Sequence, residues 1–159
     1  MSAVDAQAFF ELVQLQADYA AVLDAGDWDR WPEFFLEECT SRIQPRENYD
    51  RGLPLATMSF ESRGMLKDRV YGIKETLFHD PYYQRHVVGL PRILKSDADH
   101  YECESNYAVF RTKIDDYSRV FNVGRYLDVI VRTPAGLKFQ SRLCIFDSEM
   151  IPNSIIYPI

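Results

Sequence analysis

Between Arg119 and Asp147 the chain alternates. Phe121, Val123, Leu127, Val129 and Val131 fall on every second position, apart from Arg125, while Asn122, Tyr126, Asp128 and Arg132 fill the places between. This is the period of a strand with one face on a core. Thr133-Pro134-Ala135-Gly136 then supplies a proline preset for a turn and a glycine behind it, and Leu137, Phe139, Leu143 and Ile145 resume the alternation. The pattern predicts a long hairpin. Strands of ten or more residues exceed the usual length of about five or six, so the sheet should twist and curve strongly, with helices filling the curve.

The first half reads differently. Asp5 is placed to cap a helix whose apolar positions Phe9, Leu12, Tyr19, Val22 and Leu23 share one stripe, and Gly26 ends it. Asp27 to Phe35 predicts a short second helix with Pro32 in its first turn, where a missing N–H costs least. Glu38 to Ile43 and Leu55 to Phe60 are candidate strands, separated by a polar loop from Gln44 to Pro54. A further helix spans Arg63 to Phe78 on the stripe Leu66, Val70, Ile73 and Leu77, and His79-Asp80-Pro81 stops it. Tyr83 to Leu94 predicts a strand broken near Gly89 and Pro91. A polar turn from Ser96 to His100, a strand from Tyr101 to Ile114 and a turn at Asp115 to Ser118 lead into the hairpin. Helices followed by an antiparallel meander define an α+β fold in one domain spanning residues 1–159. The tail from Met150 to Ile159 carries no charge and four isoleucines. It must be covered, either by the chain's own sheet or by another subunit.

Composition narrows the function. Among 159 residues the net charge is −6, which leaves no basic stripe for nucleic acid or an anionic membrane. No apolar run reaches the roughly 18 residues that cross a bilayer. Ten Tyr and ten Phe exceed what a core of this size needs, so some aromatic surface is expected to meet a partner. Cys39, Cys103 and Cys144 are too far apart for a CxxC motif, and an odd count without a signal peptide points to reduced thiols in the cytoplasm.

Candidate chemistry is sparse. His79, Asp80 and His86 have the composition of a mononuclear iron site, but a helix stop and a strand lie between them, so a capped helix end and a hydrogen-bonded strand histidine are the expectation. Asp24, Asp128 and Asp147 are carboxylates that could act as acid or base in a cavity, with Tyr19, Tyr107 and Tyr126 as hydroxyl donors. Arg85, Arg92, Arg111, Arg125 and Arg142 fall in strands, where each needs an ion pair or an interface. No GxSxG, Walker or GxGxxG motif is present. The expectation is that the chain carries no catalytic, cofactor-binding or metal residue.

Four stretches, DWDRWPEFF, QPRENYDRGLP, KDRVYGIKETLFHDPYYQRHVVG and SRLCIFDSEMIPNSIIYPI, resemble the small, or beta, subunit of aromatic-ring-hydroxylating Rieske oxygenases. Within that family the chain is most similar to small subunits of the salicylate 5-hydroxylase type. The resemblance implies a cone-shaped NTF2-like fold, also seen in SnoaL and ketosteroid isomerase, with N-terminal helices packed in a strongly curved, mixed but mainly antiparallel sheet. It implies a partner alpha subunit carrying the Rieske [2Fe-2S] cluster and a mononuclear Fe(II), and electrons from NADH through a reductase and ferredoxin. It also implies a beta trimer within an α3β3 hexamer. Cys39, Cys103 and Cys144 lack the CxH and CxxH pairs that a Rieske cluster requires. Two other readings stand beside it: an independent isomerase or dehydratase, with Asp24 and His86 as its acid/base pair, and a small-ligand binding module.

Overall fold

The computed structural model describes residues 5–151 and 154–159. Helix α1 (Ala6–Ala25) begins where the Asp5 carboxylate accepts from the Gln7 amide. It ends where Gly26, at φ 68°, donates back to the last turn. Its stripe of Leu12, Leu15, Tyr19, Val22 and Leu23 is buried. Only a single 3-10 turn, Trp31–Phe34, follows in place of the expected helix over 27–35. The reason is tertiary: Phe35 is claimed by strand β1 (Phe35–Pro45), which leaves room for one turn.

β1 is longer than its sequence pattern because it pairs parallel with β7 (Gly136–Phe146) and antiparallel with the short β2 (Met58–Phe60). The expected loop over 44–54 contains one five-residue helix, α2 (Arg46–Asp50). α3 (Arg63–Tyr71) is capped by Ser62, whose hydroxyl accepts from the Met65 amide, and continues as a π turn over Gly72–Thr76. The expected strand over 83–94 is two strands, β3 (Tyr82–Val88) and β4 (Arg92–Ser96), which pair with successive stretches of β5 (His100–Lys113). β6 (Arg119–Thr133) and β7 form the predicted hairpin, closed by Pro134 and Ala135 between the paired Thr133 and Gly136. The sheet order is β2-β1-β7-β6-β5-β3, with β4 also on β5. The β1/β7 pair is its parallel element, and α1 packs across the hollow, which makes the mixed-sheet NTF2-like cone that the resemblance implies.

Beyond Phe121, β6 turns inward the opposite face from the one its apolar pattern suggests, whereas Phe139 and Ile145 of the β7 pattern are buried. On β6 the buried set is Gly124, Tyr126, Asp128 and Ile130, whereas Val123, Leu127, Val129 and Val131 lie half-buried on the convex side. Two β-bulges, at Phe121 and at Gln140, shift the phase. Because of the second, Phe139 and Arg142 are both buried although their positions differ by an odd number. Gly124 is required by its neighbour: a Cβ there would run into the Ile145 carbonyl and lie 2.8 Å from the Phe146 Cα.

Candidate functional site

At the centre of the hollow lies a buried charge. The β6/β7 register sets Asp128 directly opposite Arg142, and the guanidinium donates to both carboxylate oxygens, Nε to Oδ1 at 2.9 Å and Nη2 to Oδ2 at 2.8 Å. From α1, Gln16 donates to Asp128 Oδ2 at 2.8 Å and accepts from Arg142. Three rings pack around the cation, with Tyr126, Phe139 and Tyr19 centroids at 4.0, 4.1 and 4.2 Å. Burial alone would pull the Arg142 pKa down. The Asp128 charge and hydrogen bonds overcome it and hold the guanidinium protonated. Burial pushes the Tyr126 and Tyr107 phenols well above their ordinary range, so both stay neutral. These rings stack on each other at 4.3 Å, and Tyr107 donates to Asn122 Oδ1 at 2.5 Å. Of the candidate hydroxyls and carboxylates, Tyr19, Tyr126 and Asp128 thus meet, joined through an arginine that fixes the carboxylate as an ion-pair partner.

Asp24 and His86 also meet. Asp24, on the last turn of α1, accepts the His86 Nδ1 proton at 2.6 Å and the His86 backbone amide at 3.0 and 3.1 Å. Arg85 stands 3.8 Å from the same carboxylate. The carboxylate fixes the Nδ1–H tautomer and leaves Nε2 as the basic nitrogen. The imidazole is fully buried, and Nε2 has no partner among the described residues. A groove of about 340 Å³ runs beside the pair, between α1 and the β3–β4 connection. An acid/base pair needs its reactive nitrogen within reach of substrate, and this ring is fully buried although Asp24 and His86 both contribute to the lining of the groove.

The remaining candidates separate. His79 pairs with Tyr157 at 2.7 Å, Asp80 with Lys113 at 2.7 Å, and His86 with Asp24, so the three do not converge as metal ligands. Asp147 faces Arg46 at 3.4 Å. Arg92 and Arg125 share Glu104, Arg111 lies over Tyr82 and Phe121, and Arg142 holds Asp128. Cys39, Cys103 and Cys144 are free and buried, and burial pushes the last two up to about 12. Neither these thiols nor the dispersed histidines suit an iron–sulfur cluster.

The tail returns into the cone. Pro152 and Asn153 lie outside the described residues, but Ile155, Tyr157 and Ile159 are buried. Ile155 and Ile159 pack with Tyr107, Val109, Phe121 and Tyr126. Tail carbonyls accept from Arg69 at Ile155 (3.2 Å) and Ile156 (2.7 Å), from Gln84 at Pro158 (3.4 Å) and from Tyr19 at Ile159 (3.1 Å). The cover that its composition demands is thus the chain's own hollow. Sequence reasoning placed neither these donors nor the Tyr157 contacts, because each joins positions some 70 to 140 residues apart.

The hollow of the cone is thus occupied by the chain's own tail and a neutralised ion pair. The ring hydroxylating beta subunit family matches residues 18–153. The anthranilate 1,2-dioxygenase small subunit of Burkholderia cepacia is 35% identical over 156 residues, 98% of this chain and 96% of the relative. The beta 2 subunit of the terminal oxygenase component of terephthalate 1,2-dioxygenase from Comamonas sp is 28% identical over 149 residues, covering 94% and 97%. A crystal structure of a beta subunit assigned to an aromatic-ring-hydroxylating dioxygenase of Novosphingobium aromaticivorans superposes with a TM-score of 0.87 at 32% identity, covering 96% and 97%. The chain belongs to the ring hydroxylating beta subunit family: it is the small subunit of an aromatic-ring-hydroxylating dioxygenase, and its partner is a large alpha subunit.

Proposed function

We propose that this chain is a non-catalytic scaffold for alpha subunits that oxygenate an aromatic carboxylate of the salicylate type. The observation that carries the proposal is near-full-length similarity to small subunits from the anthranilate and terephthalate dioxygenases, whose named substrates are both aromatic carboxylates. The alpha subunit holds the Rieske [2Fe-2S] cluster and the mononuclear Fe(II), fed from NADH through a reductase and ferredoxin, and no residue of this chain enters the reaction. Supporting that division, the cysteines and histidines here are scattered among separate structural partners.

Beta subunits assemble as a trimer within an α3β3 hexamer in the cytoplasm. The convex sheet face supports the assembly, since Val87, Ala108 and Val123 align across β3, β5 and β6 and Leu127 stands opposite Leu143. Val87 and Tyr83 are 57% and 74% exposed, an apolar surface suited to a partner. Free buried thiols fit a reducing compartment.

The test is co-expression with the neighbouring genes, followed by mass and visible spectroscopy of what the tagged chain captures. A brown complex with iron and sulfide on the heavier chain, active on salicylate or a related benzoate, is expected. A colourless chain that elutes alone and binds no large subunit would refute the scaffold role.

A further inference from the structure

One side chain of the tail is held as a ligand is held. The Tyr157 ring stacks on Trp28 with centroids 4.7 Å apart and planes 28° from parallel. Its other contacts are Tyr82 at 4.6 Å and, edge-on, His79 at 5.1 Å. Its hydroxyl oxygen lies 2.7 Å from His79 Nε2. The direction of that bond follows from the other ring nitrogen. Nδ1 sits 3.4 Å from the Leu77 carbonyl, which only accepts, so Nδ1 carries a proton and Nε2 is the ring nitrogen left to accept. Burial raises the Tyr157 pKa, so the phenol keeps its proton and donates it. The walls come from the turn after α1, the segment after the π turn and strand β3, none of them adjacent to the tail in sequence. The body of the domain builds the slot and the tail fills it.

We propose that Trp28, His79 and Tyr82 form a binding slot for small phenols, that Tyr157 occupies it in this conformation, and that free phenols compete with the tail for it. Two aromatic faces admit a flat ring, and one bare nitrogen selects a ring with a hydroxyl donor. The tail enters from the position para to that hydroxyl, so p-cresol reproduces the Tyr157 side chain. A tethered occupant acts at an effective concentration in the millimolar range, which sets the scale a free phenol must exceed.

The experiment uses the full chain, in whatever complex it purifies, with p-cresol and toluene as matched probes. Tyr157→Ala empties the slot and leaves Ile155 and Ile159 as anchors. It is expected to bind p-cresol saturably in the millimolar range, with a melting temperature that keeps rising with concentration, and to bind toluene about three- to tenfold more weakly, the ratio one net hydrogen bond gives. Adding His79→Ala should abolish that preference. Equal binding of the two probes, or no saturable binding, overturns the slot. Hydrogen exchange on the wild-type chain tests competition without depending on the variant. p-Cresol should accelerate exchange at residues 154–159 more than toluene does at equal concentration, and an unaltered tail up to the solubility limit of p-cresol overturns the competition.

Discussion

Replacing Asp128 by asparagine is the sharpest test of the buried centre. In the native chain Arg142 is fully buried, gives two hydrogen bonds to Asp128 at 2.8 and 2.9 Å, and is packed by three rings within 4.2 Å. The amide would keep the shape of the carboxylate and remove the compensating charge, leaving a cation that no water reaches. Breaking such a pair from one side costs about 3–5 kcal/mol. For a domain of this length each kcal/mol moves the midpoint by roughly 2–4 °C, so the melting temperature should fall by about 6–20 °C. Removing both charges is a different perturbation, because it also removes the desolvation penalty that each ion carries. Asp128→Leu with Arg142→Met should therefore recover most of the loss, and a double-mutant cycle should show strong coupling. Urea and thermal unfolding at fixed protein concentration provide the assay. A single variant within about 1 kcal/mol of wild type, or a double variant as unstable as the single, would refute the reasoning.

Other consequences are equally open to measurement. Gly124→Ala should fail to give soluble folded chain, since its Cβ would meet the backbone of Ile145 and Phe146; a normal melting curve would contradict this. Deleting residues 155–159 removes buried Ile155, Tyr157 and Ile159, each contributing about 1.5–3 kcal/mol of apolar burial, so the melting temperature should drop by more than about 10 °C; unchanged melting and assembly would count against it. Leu127→Glu with Leu143→Glu places two charges side by side on the convex face and should lower the mass of the purified complex while the circular dichroism spectrum of the chain stays native; an intact complex would exclude that face from assembly. Stability should also fall in alkali. Burial holds the Cys103 and Cys144 thiols up to about 12, whereas unfolded thiols titrate near about 8.5. Below that value both states keep the protons and stability is flat. Above it the unfolded chain releases protons that the folded chain retains, so stability declines toward pH 12, by up to about 1.4 kcal/mol per pH unit for the fully buried Cys144. Urea midpoints that stay constant from about pH 8 to 10.5 would disprove this.

The sequence by itself determined the elements whose signals are local. Asp5 and Gly26 bound α1, the Pro134-Ala135 turn closes the hairpin, and the strand and turn order of the second half follows from alternation and turn chemistry. The need to bury an uncharged tail was equally legible, and so was the family, through stretches distributed over nearly the whole chain. Tertiary structure decided the rest. Which face of β6 turns inward depended on bulges at Phe121 and Gln140, whose positions are set by the partner strands. The length of β1 came from its parallel pairing with β7, a contact across some hundred residues that no local pattern encodes. The pairing of Asp24 with His86, the approach of Gln16 to the Asp128–Arg142 pair and the seat of Tyr157 likewise join distant positions. Period and propensity act over a few residues, whereas these contacts exist only once curvature has brought the strands, α1 and the tail into one hollow.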